Sequence, residues 1–358
     1  MTYAVIMAGG VGTRFWPRSR TSKPKQLLNI FGDRSMIQQT VDRIMPFLDA
    51  AHILVVTNTV QAEAIREQLP QLPDKNILIE PIGRNTAPCV GLAASHIVAR
   101  DPDAVMAVFA ADHLISPAEN FYHTLDAAVQ IAKDTSGSIT IGIQPTRPET
   151  GYGYIQFLES EFLEANNSRA YRVKAFAEKP NEATAQRFVE SGDFLWNSGM
   201  FVWKASTILS LIGEHLPELS KGLEKIQSAI GKDDYTAVVG DVFTGLKGIS
   251  IDYGVMEKTR DVYVLKSDFE WNDVGSWLEV HELSAKDENG NALVGSHVVF
   301  DSSNSFVFSP DQTIAMVGVN NLIVVNTGDA LLICNRDRTQ DVKQVVEILK
   351  REKKVDLL

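Results

Sequence analysis

Short apolar runs alternate with amphipathic segments through the first 143 residues, and this alternation limits the possible folds more than any other feature of the chain. The pattern predicts strands at residues 4–8, 52–56, 76–80, 104–109 and 138–143, and helices at 36–48, 61–69, 87–99 and 121–132. Strands and helices that alternate in this way form βαβ units, in which helices cover both faces of a parallel sheet. We therefore predict an α/β fold with a mostly parallel sheet, whose ligands bind beyond the carboxyl ends of the strands.

The second half of the chain has a mixed pattern. It predicts antiparallel strands at 152–157 and 171–176 and helices at 183–190 and 205–212. Residues 291–335 contain no Lys or Arg, and their short apolar runs, separated by turn residues, predict a small β-solenoid or sandwich-like module. Residues 341–355 predict an amphipathic helix whose apolar stripe docks either on its own subunit or on a partner chain. We therefore expect one domain at 1–287 and a C-terminal β module with its helix at 288–358.

Composition excludes several classes of protein. Acidic residues outnumber basic residues by 45 to 34, and the net charge of −11 argues against a protein that binds nucleic acid. The two cysteines, Cys89 and Cys334, have no C-x-x-C partner, which argues against a zinc site or a disulfide framework. The N-terminus lacks the pattern of a signal peptide, and no segment approaches the ~20 apolar residues of a membrane span. We expect a cytoplasmic protein that does not bind membranes.

The first predicted strand continues into a glycine-rich loop that carries five basic residues. Glycines at 9, 10 and 12 leave backbone amides free to approach an anion. The cations are Arg14, Arg18, Arg20, Lys23 and Lys25. The segment does not match the dinucleotide fingerprint, because Phe15 occupies the position of its third glycine. It does not match the P-loop either, because no lysine directly follows the glycines. A solvated glycine turn is the alternative, but five cations in twelve positions favour a polyphosphate site.

The segment G-G-x-G-T-R-F-W-P-x-S-R-x-x-x-P-K-Q-L resembles the signature of the sugar-1-phosphate nucleotidyltransferases. Its W-P-x-S-R and P-K-Q parts are similar to those of the mannose-1-phosphate guanylyltransferases. The resemblance implies a Rossmann-like nucleotidyltransferase domain with a mostly parallel mixed sheet, then a module like a short left-handed β-helix and a terminal helix. It also implies that Lys25 neutralises charge at the α-phosphate and the leaving pyrophosphate. The implied triphosphate-binding positions are Ala8, Gly9, Gly10, Gly12, Thr13 and Arg14.

A second loop, E-P-I-G-R-N-T-A-P at residues 80–88, follows the third predicted strand. Asn85 and Thr86 offer polar side chains, and Thr86 could cap the next helix. From the residues alone, a capped loop and a base-binding loop account for the pattern equally well. The segment resembles the guanine-binding loop of the same family, which implies that Glu80, Gly83, Asn85 and Thr86 bind the nucleotide.

Two aspartates lie in positions that suggest a metal site. Asp112 follows the fourth predicted strand, and Asp273 lies in E-W-N-D-V-G-S-W. Two carboxylates that come together repel each other unless a cation lies between them, and Mg²⁺ prefers carboxylate and phosphate oxygens. Each aspartate could instead cap a following helix. The resemblance implies that Asp112 and Asp273 hold Mg²⁺ and that Asp112 also contacts the nucleotide.

Four later segments resemble the sugar-1-phosphate pocket of the family. They are G-Y-G-Y-I from 151, E-K-P from 178, W-N-S-G-M-F from 196 and S-I-D-Y-G from 250. Each is weak by itself, because an E-K-P is usually only the end of a strand. The resemblance implies that Glu178 and Asn197 bind sugar hydroxyls and that Lys179 binds the phosphate. The remaining implied contacts are Gly151, Tyr152 and Asp252.

The implied reaction is a Mg²⁺-dependent in-line attack of mannose 1-phosphate on the α-phosphorus of GTP, with Arg14, Lys25, Asp112 and Asp273 as catalytic residues. An enzyme of the same mechanism with another nucleotide or sugar 1-phosphate is one alternative. A non-catalytic regulatory subunit that binds a sugar nucleotide is another, although such a subunit should lack these four residues. We expect a homodimer through the C-terminal end and, unlike in the bifunctional members, no isomerase domain.

Overall fold

The computed structural model describes residues 1–358. The strands are Thr2–Met7 (β1), Ile53–Asn58 (β2), Ile77–Glu80 (β3), Val105–Ala110 (β4), Leu114–Ser116 (β5), Ser138–Ile143 (β6), Gly153–Ala165 (β7), Ser168–Glu178 (β8), Phe194–Lys204 (β9), Val262–Lys266 (β10), Glu270–Asn272 (β11), Ala292–Phe300 (β12), Phe306–Val317 (β13), Leu322–Asn326 (β14) and Leu331–Asn335 (β15). The α-helices are Met36–Ile44 (α1), Ala62–Gln68 (α2), Thr86–Arg100 (α3), Ala118–Asp134 (α4), Glu182–Ser191 (α5), Ala205–His215 (α6), Pro217–Ala229 (α7), Tyr235–Gly245 (α8), Trp277–Leu283 (α9) and Val342–Arg351 (α10). None of these helices combines the length and apolar character needed to cross a membrane.

Nine strands form one mixed sheet in the order β3-β2-β1-β4-β9-β6-β10-β8-β7. Strands β1 to β4 run parallel to one another, and β10 runs parallel to β6. The antiparallel pairings place only β8 and β9 in the opposite direction. The predicted α/β fold with a mostly parallel mixed sheet is therefore confirmed.

The first compact unit comprises Met1–Gly9, Val41–Ala62 and Leu69–Trp271, and it contains the nine-stranded sheet. Its strands β1, β2 and β4 are almost wholly buried, as expected for parallel strands covered on both faces. Helices α3, α6 and α7 pack against this sheet through one large apolar core. The carboxyl ends of β1, β3 and β4 carry the predicted nucleotide-binding residues of this unit.

The second compact unit comprises Gly10–Thr40, Glu63–Gln68 and Asn272–Leu358. Its strands β12, β13 and β14 follow one another in parallel, and β15 closes the sheet antiparallel to β14. Val307, Met316 and Val324 form the interior of this module. Parallel pairing of consecutive strands around an apolar interior agrees with the predicted β-helix-like module. The expected domain boundary between residues 287 and 288 stays a prediction, since the compact units follow spatial packing rather than sequence continuity.

The terminal helix α10 docks on its own chain. Val342, Val346 and Leu349 lie at helical spacing on one face and are buried. The intramolecular alternative for its apolar stripe is therefore confirmed.

Candidate active site

The glycine-rich loop of the second unit is shaped by a close approach to Lys25. Gly12 has a φ of +64°, and a Cβ at this position would lie 2.6 Å from Lys25 Cβ. Glycine is required for both reasons, because other residues rarely adopt this φ and none could tolerate the contact. Lys25 itself is 4% exposed, and its Nζ donates a hydrogen bond of 2.5 Å to the backbone oxygen of Asp273.

Arg14 and Asp273 meet at a second glycine of this unit. A Cβ at Gly275 would lie 3.6 Å from Arg14 Nη1 and 3.6 Å from both carboxylate oxygens of Asp273. Arg14 Nη1 also donates to Gln340 Oε1 at 3.0 Å. The structure thus brings together three of the four predicted catalytic residues, two cations and one carboxylate, around two glycines.

Two further loop cations, Arg18 and Arg20, also have partners within the second unit. Arg18 donates to Asn29 Oδ1 at 2.7 Å, and its guanidinium lies 4.1 Å from the centroid of the Phe308 ring. Arg20 donates to Asp329 Oδ2 at 2.9 Å. These arginines tie the loop to the β module, a role that the sequence did not indicate because their partners in that module are about 300 positions away.

Glu80 lies close to the start of the glycine-rich loop, in the first unit. A Cβ at Gly9 would lie 3.5 Å from Glu80 Oε2, and the backbone NH of Ala8 donates to Val56 O at 2.8 Å. Glu80 is buried, and its Oε1 has no hydrogen-bond partner. Burial raises the pKa of Glu80 to about 8. A buried carboxyl with an unused oxygen is chemically suited to accept a hydrogen bond from a ligand.

Asn85, not Thr86, caps helix α3. Asn85 has a φ of +68°, and its side chain accepts a hydrogen bond of 2.8 Å from the backbone NH of Thr86. The hydroxyl of Thr86 instead accepts from the backbone NH of Ile251 at 2.8 Å. Gly83 and Asn85 are exposed, so this loop presents backbone and amide groups to solvent.

The helix-cap alternatives for the two aspartates are wrong. Helix α4 has Pro117 at its N-cap, and α9 has Ser276, whose side chain accepts from the backbone NH of Leu278. Asp112 follows β4 in the first unit, whereas Asp273 belongs to the second. No group of three or more His, Cys, Asp or Glu side chains could hold a metal by itself. The predicted pairing of the two carboxylates stays a prediction.

Four predicted sugar-phosphate residues form one polar cluster in the first unit. Asn197 Nδ2 donates to Asp252 Oδ1 at 2.8 Å, and Lys179 Nζ donates to Glu178. Gly153 lies between Glu178 and Asn197, since a Cβ at this position would meet Glu178 Oε2 and would lie 3.3 Å from Asn197 Cβ. Burial raises the pKa of Asp252 above its usual range, and the hydrogen bond from Asn197 only partly opposes this shift. The hydrogen bond to Glu178 raises the pKa of Lys179.

Tyr152 connects this cluster to a group of aromatic residues that the sequence did not indicate. Its ring contacts those of Trp196 and Trp271 with centroid distances of 5.3 and 5.2 Å. Arg147 lies 5.5 Å from the centroid of Trp196. The loop that carries Arg147 is held together by the Glu149 carboxylate, which binds Arg147 Nε at 3.2 Å and accepts a hydrogen bond from the backbone NH of Gly151 at 3.0 Å. The only available signal was the position of Arg147 four residues before Gly151.

Comparison with known proteins identifies the family. A family model described as nucleotidyl transferase matches residues 3–290. Mannose-1-phosphate guanylyltransferase from Klebsiella pneumoniae is 41% identical over 360 residues, which cover 99% of this chain and 75% of that protein. The enzyme of the same name from Escherichia coli is 41% identical over 362 residues, with the same coverage of each chain. The chain belongs to the mannose-1-phosphate guanylyltransferase family.

Comparison with a solved structure shows that the similarity extends to the fold of the whole chain. The structure, described as mannose-1-phosphate geranyltransferase from Thermus thermophilus, has a TM-score of 0.86 and 32% identity. It covers 98% of this chain, and 99% of that chain is matched. A second family model, described as MannoseP isomerase/GMP-like beta-helix domain, matches residues 295–349. The guanylyltransferase family assignment therefore accounts for the α/β domain and for the β-helix-like module.

Proposed function

We propose that this protein transfers the GMP moiety of GTP to mannose 1-phosphate, which yields GDP-mannose and pyrophosphate. The observation that carries the proposal is the convergence of Arg14, Lys25 and the Asp273 carboxylate around Gly12 and Gly275. Relatives of 41% identity that are named mannose-1-phosphate guanylyltransferase support the choice of substrates.

The reaction is a direct displacement at the α-phosphorus of GTP. An oxygen of mannose 1-phosphate forms the new P–O bond, and the bond to the β-phosphate oxygen breaks, so that pyrophosphate leaves. The phosphate monoester is already a competent nucleophile, and no side-chain base is needed. The protein must position two anions and offset their repulsion. Arg14 and the buried Lys25 supply fixed positive charge, while the backbone amides from Gly9 to Thr13 donate hydrogen bonds to phosphate oxygens.

Asp112 and Asp273 are proposed to hold Mg²⁺. Both supply carboxylate oxygens, which suit this ion, and neither serves as a helix cap. Bound Mg²⁺ would neutralise triphosphate charge and orient its oxygens. The two aspartates would hold the ion, and Lys25 fixes the backbone of Asp273 through its hydrogen bond to the carbonyl oxygen.

The base and the sugar are proposed to bind in the first unit. The unpartnered Oε1 of Glu80 is proposed to accept a hydrogen bond from guanine, and Gly83, Asn85 and Thr86 form the rest of the base loop. Recognition of this kind discriminates strongly, because a wrong base leaves a buried polar group unpaired. Glu178 and Asn197 are proposed to bind sugar hydroxyls, and Lys179, whose Nζ donates to Glu178, is proposed to bind the phosphate. Gly151, Tyr152 and Asp252 complete the proposed pocket, and Arg147 adds a cation next to it.

The decisive experiment crosses four nucleoside triphosphates with several sugar 1-phosphates and measures pyrophosphate release with and without a chelator. The proposal requires fastest release with GTP and mannose 1-phosphate, and no release in the chelator until Mg²⁺ is restored. A different best pair would identify another nucleotidyltransferase. Binding of GDP-mannose without release under any condition would indicate a regulatory subunit.

The metal assignment has its own test. Asp112→Asn and Asp273→Asn should each lower turnover by about 100-fold or more and raise the Mg²⁺ concentration needed for half-maximal rate. Asp103→Asn is the matched control, because this aspartate is exposed on a loop of the same unit as Asp112. Wild-type turnover in either site variant would contradict the assignment.

A homodimer through the C-terminal module is also proposed. Phe300 on β12 lies beside Val317 on β13 in the parallel register, with exposed fractions of 68% and 65%, and Val298 on the same face is 57% exposed. Adjacent exposed apolar side chains are typical of an interface. Light scattering should give the mass of a dimer for the wild type and of a monomer for Phe300→Ser; a monomeric wild type would contradict the proposal.

A further inference from the structure

Residues 246–252 form a connecting segment between the base loop and the sugar-phosphate cluster, and we name it the strap. Residues 246–250 have no regular secondary structure, and Asp252 begins a wide helical turn at Asp252–Met256. At one end the strap lies against Arg84 and Thr86 of the base loop. At the other end Asp252 enters the polar cluster with Asn197.

Hydrogen bonds join the base loop to the strap. The backbone NH of Ile249 donates to Arg84 O at 3.2 Å, and the NH of Ala87 donates to Ile249 O at 3.1 Å. The NH of Ile251 donates to Thr86 Oγ1 at 2.8 Å. A Cβ at Gly248 would lie 3.3 Å from Arg84 O, so the base loop and the strap are in close contact. A displacement of the base loop or of the strap therefore requires the other segment to move or these hydrogen bonds to break.

The side chain of Arg84 fixes the beginning of the strap. Its Nε donates to Phe243 O at 2.9 Å and its Nη2 donates to Thr244 O at 3.0 Å. These carbonyls belong to the last turn of α8, where a cation is favourable. The strap leaves α8 directly after this turn. Arg84 is thus bonded to the strap through its carbonyl and to the preceding helix through its guanidinium.

The far end of the strap positions the sugar-phosphate residues. Asp252 Oδ1 accepts from Asn197 Nδ2, and Asn197 Oδ1 accepts from the backbone NH of Gly199 at 3.1 Å. The orientation of the Asn197 amide therefore depends on where Asp252 lies. Residues 247 and 248 are exposed, whereas Ile251 is buried in the large apolar core and Leu246 and Ile249 pack against it. These packed and hydrogen-bonded contacts leave the strap little freedom to move independently of the base loop.

We infer that the strap couples the two substrate sites, so that nucleotide in the base loop orders Asp252 and Asn197 for the sugar phosphate, with Arg84 as a positioning residue. The inference rests on the proposed function. Base contacts at Gly83 and Asn85 would restrain the loop, and the loop would restrain the strap. Since coupling between binding sites is reciprocal, mannose 1-phosphate must strengthen nucleotide binding by the same factor.

Calorimetric titration with α,β-methylene GTP, which cannot be cleaved at the reacting bond, tests this inference. The affinity for mannose 1-phosphate is measured with Mg²⁺, with and without saturating analogue, and the ratio is the coupling factor. The wild type should give a factor of about 5 or more. Arg84→Met should reduce it to below about 2, and Arg84→Lys should restore part of it. Arg100→Met is the matched control, because Arg100 binds Lys75 O and Asn76 away from the strap, and it should keep the wild-type factor.

Each outcome separates the inference from the proposed function. A wild-type factor of 1, or an unchanged factor in Arg84→Met, overturns the inference while turnover of GTP and mannose 1-phosphate still supports the function. A wild type that binds neither substrate and releases no pyrophosphate overturns both. If Arg84→Met does not fold, Gly248→Ala replaces it, because its Cβ would crowd Arg84 O, and it too should lower the factor. A merely structural role would lower the melting temperature of these variants and leave the factor unchanged.

Discussion

At the scale of single residues, Lys25 shows how the fold prepares a charge for function. Its side chain is buried, and its Cβ occupies a position that only a glycine at residue 12 leaves open. Its ammonium group donates a hydrogen bond to the backbone oxygen of Asp273. An ammonium group held in this way needs little reorganisation when phosphate charge arrives, and such groups contribute most in a site that excludes water.

Lys25→Met should therefore lower turnover by about 100-fold or more, because it removes the charge and keeps most of the side-chain volume. Steady-state pyrophosphate release and thermal unfolding provide the measurements. Lys23→Met, an exposed lysine two residues earlier, should retain wild-type turnover. Equal losses in the two variants would show that only the net charge of the loop matters.

Glu80 makes a prediction about pH. Burial raises its pKa to about 8 from the ordinary value of 4.5, so the folded protein retains a proton that the unfolded chain releases. Stability associated with this group is therefore present in full below pH 4.5 and is lost as the pH rises to about 8. Glu80→Gln does not titrate. Its free energy of unfolding should therefore rise relative to that of the wild type, by about 1.4 kcal/mol for each pH unit between the two pKa values. Urea unfolding at about pH 5, 7 and 8.5 measures the difference, and a constant difference would contradict the burial argument.

At the scale of elements, the sequence predicted most of the strands and helices up to residue 215, but it did not predict β9, β10, α7 or α8. The segment F-L-W-N-S-G-M-F-V-W-K contains Asn197-Ser198-Gly199, a typical turn signal. In the structure these residues form an irregularity within the strand, opposite a register shift in β6. The Ser198 hydroxyl donates to Ile141 O at 2.6 Å, and Gly199 adopts a φ of +71°. Such compensation depends on a neighbouring strand and cannot be seen in local sequence.

Helix α9 permits a direct test of an element end. The Ser276 side chain accepts from the backbone NH of Leu278, donates to Glu279 Oε2 at 2.5 Å and contacts Thr339 Oγ1 at 2.9 Å. Ser276→Ala should lower the free energy of unfolding by about 1–2 kcal/mol, because it removes an N-cap that is also buried. Ser228→Ala, at an exposed hydroxyl within α7, is the control and should change it by less than about 0.5 kcal/mol. Similar values for both serines would rule out a capping role.

At the scale of the whole molecule, the glycine-rich loop belongs to the same compact unit as residues near the end of the chain. Trp16 Nε1 donates to Leu357 O at 2.9 Å, and Trp277 Nε1 donates to Trp16 O at 3.2 Å. Motif and resemblance assigned the site residues of the loop, but they gave no sign of these contacts, because sequence patterns are local and the partners are hundreds of positions apart. The C-terminal region therefore contributes to the geometry of the loop, a role that the sequence did not indicate.

The pair formed by Arg20 and Asp329 tests this dependence at a distance from the chemistry. Hydrogen bonds from Thr327 and Arg20 lower the pKa of Asp329, and the salt bridge to Arg20 measures 2.9 Å. Asp329→Ala leaves a mostly buried arginine without this partner and loosens the loop, so KM for GTP should rise about two- to fivefold, the range expected for a partly exposed ion pair. KM for mannose 1-phosphate should stay near the wild-type value. Asp311→Ala, at an exposed aspartate of β13, should leave both constants unchanged. If Asp329→Ala also left KM for GTP unchanged, the β module would stabilise the chain without setting the geometry of its phosphate loop.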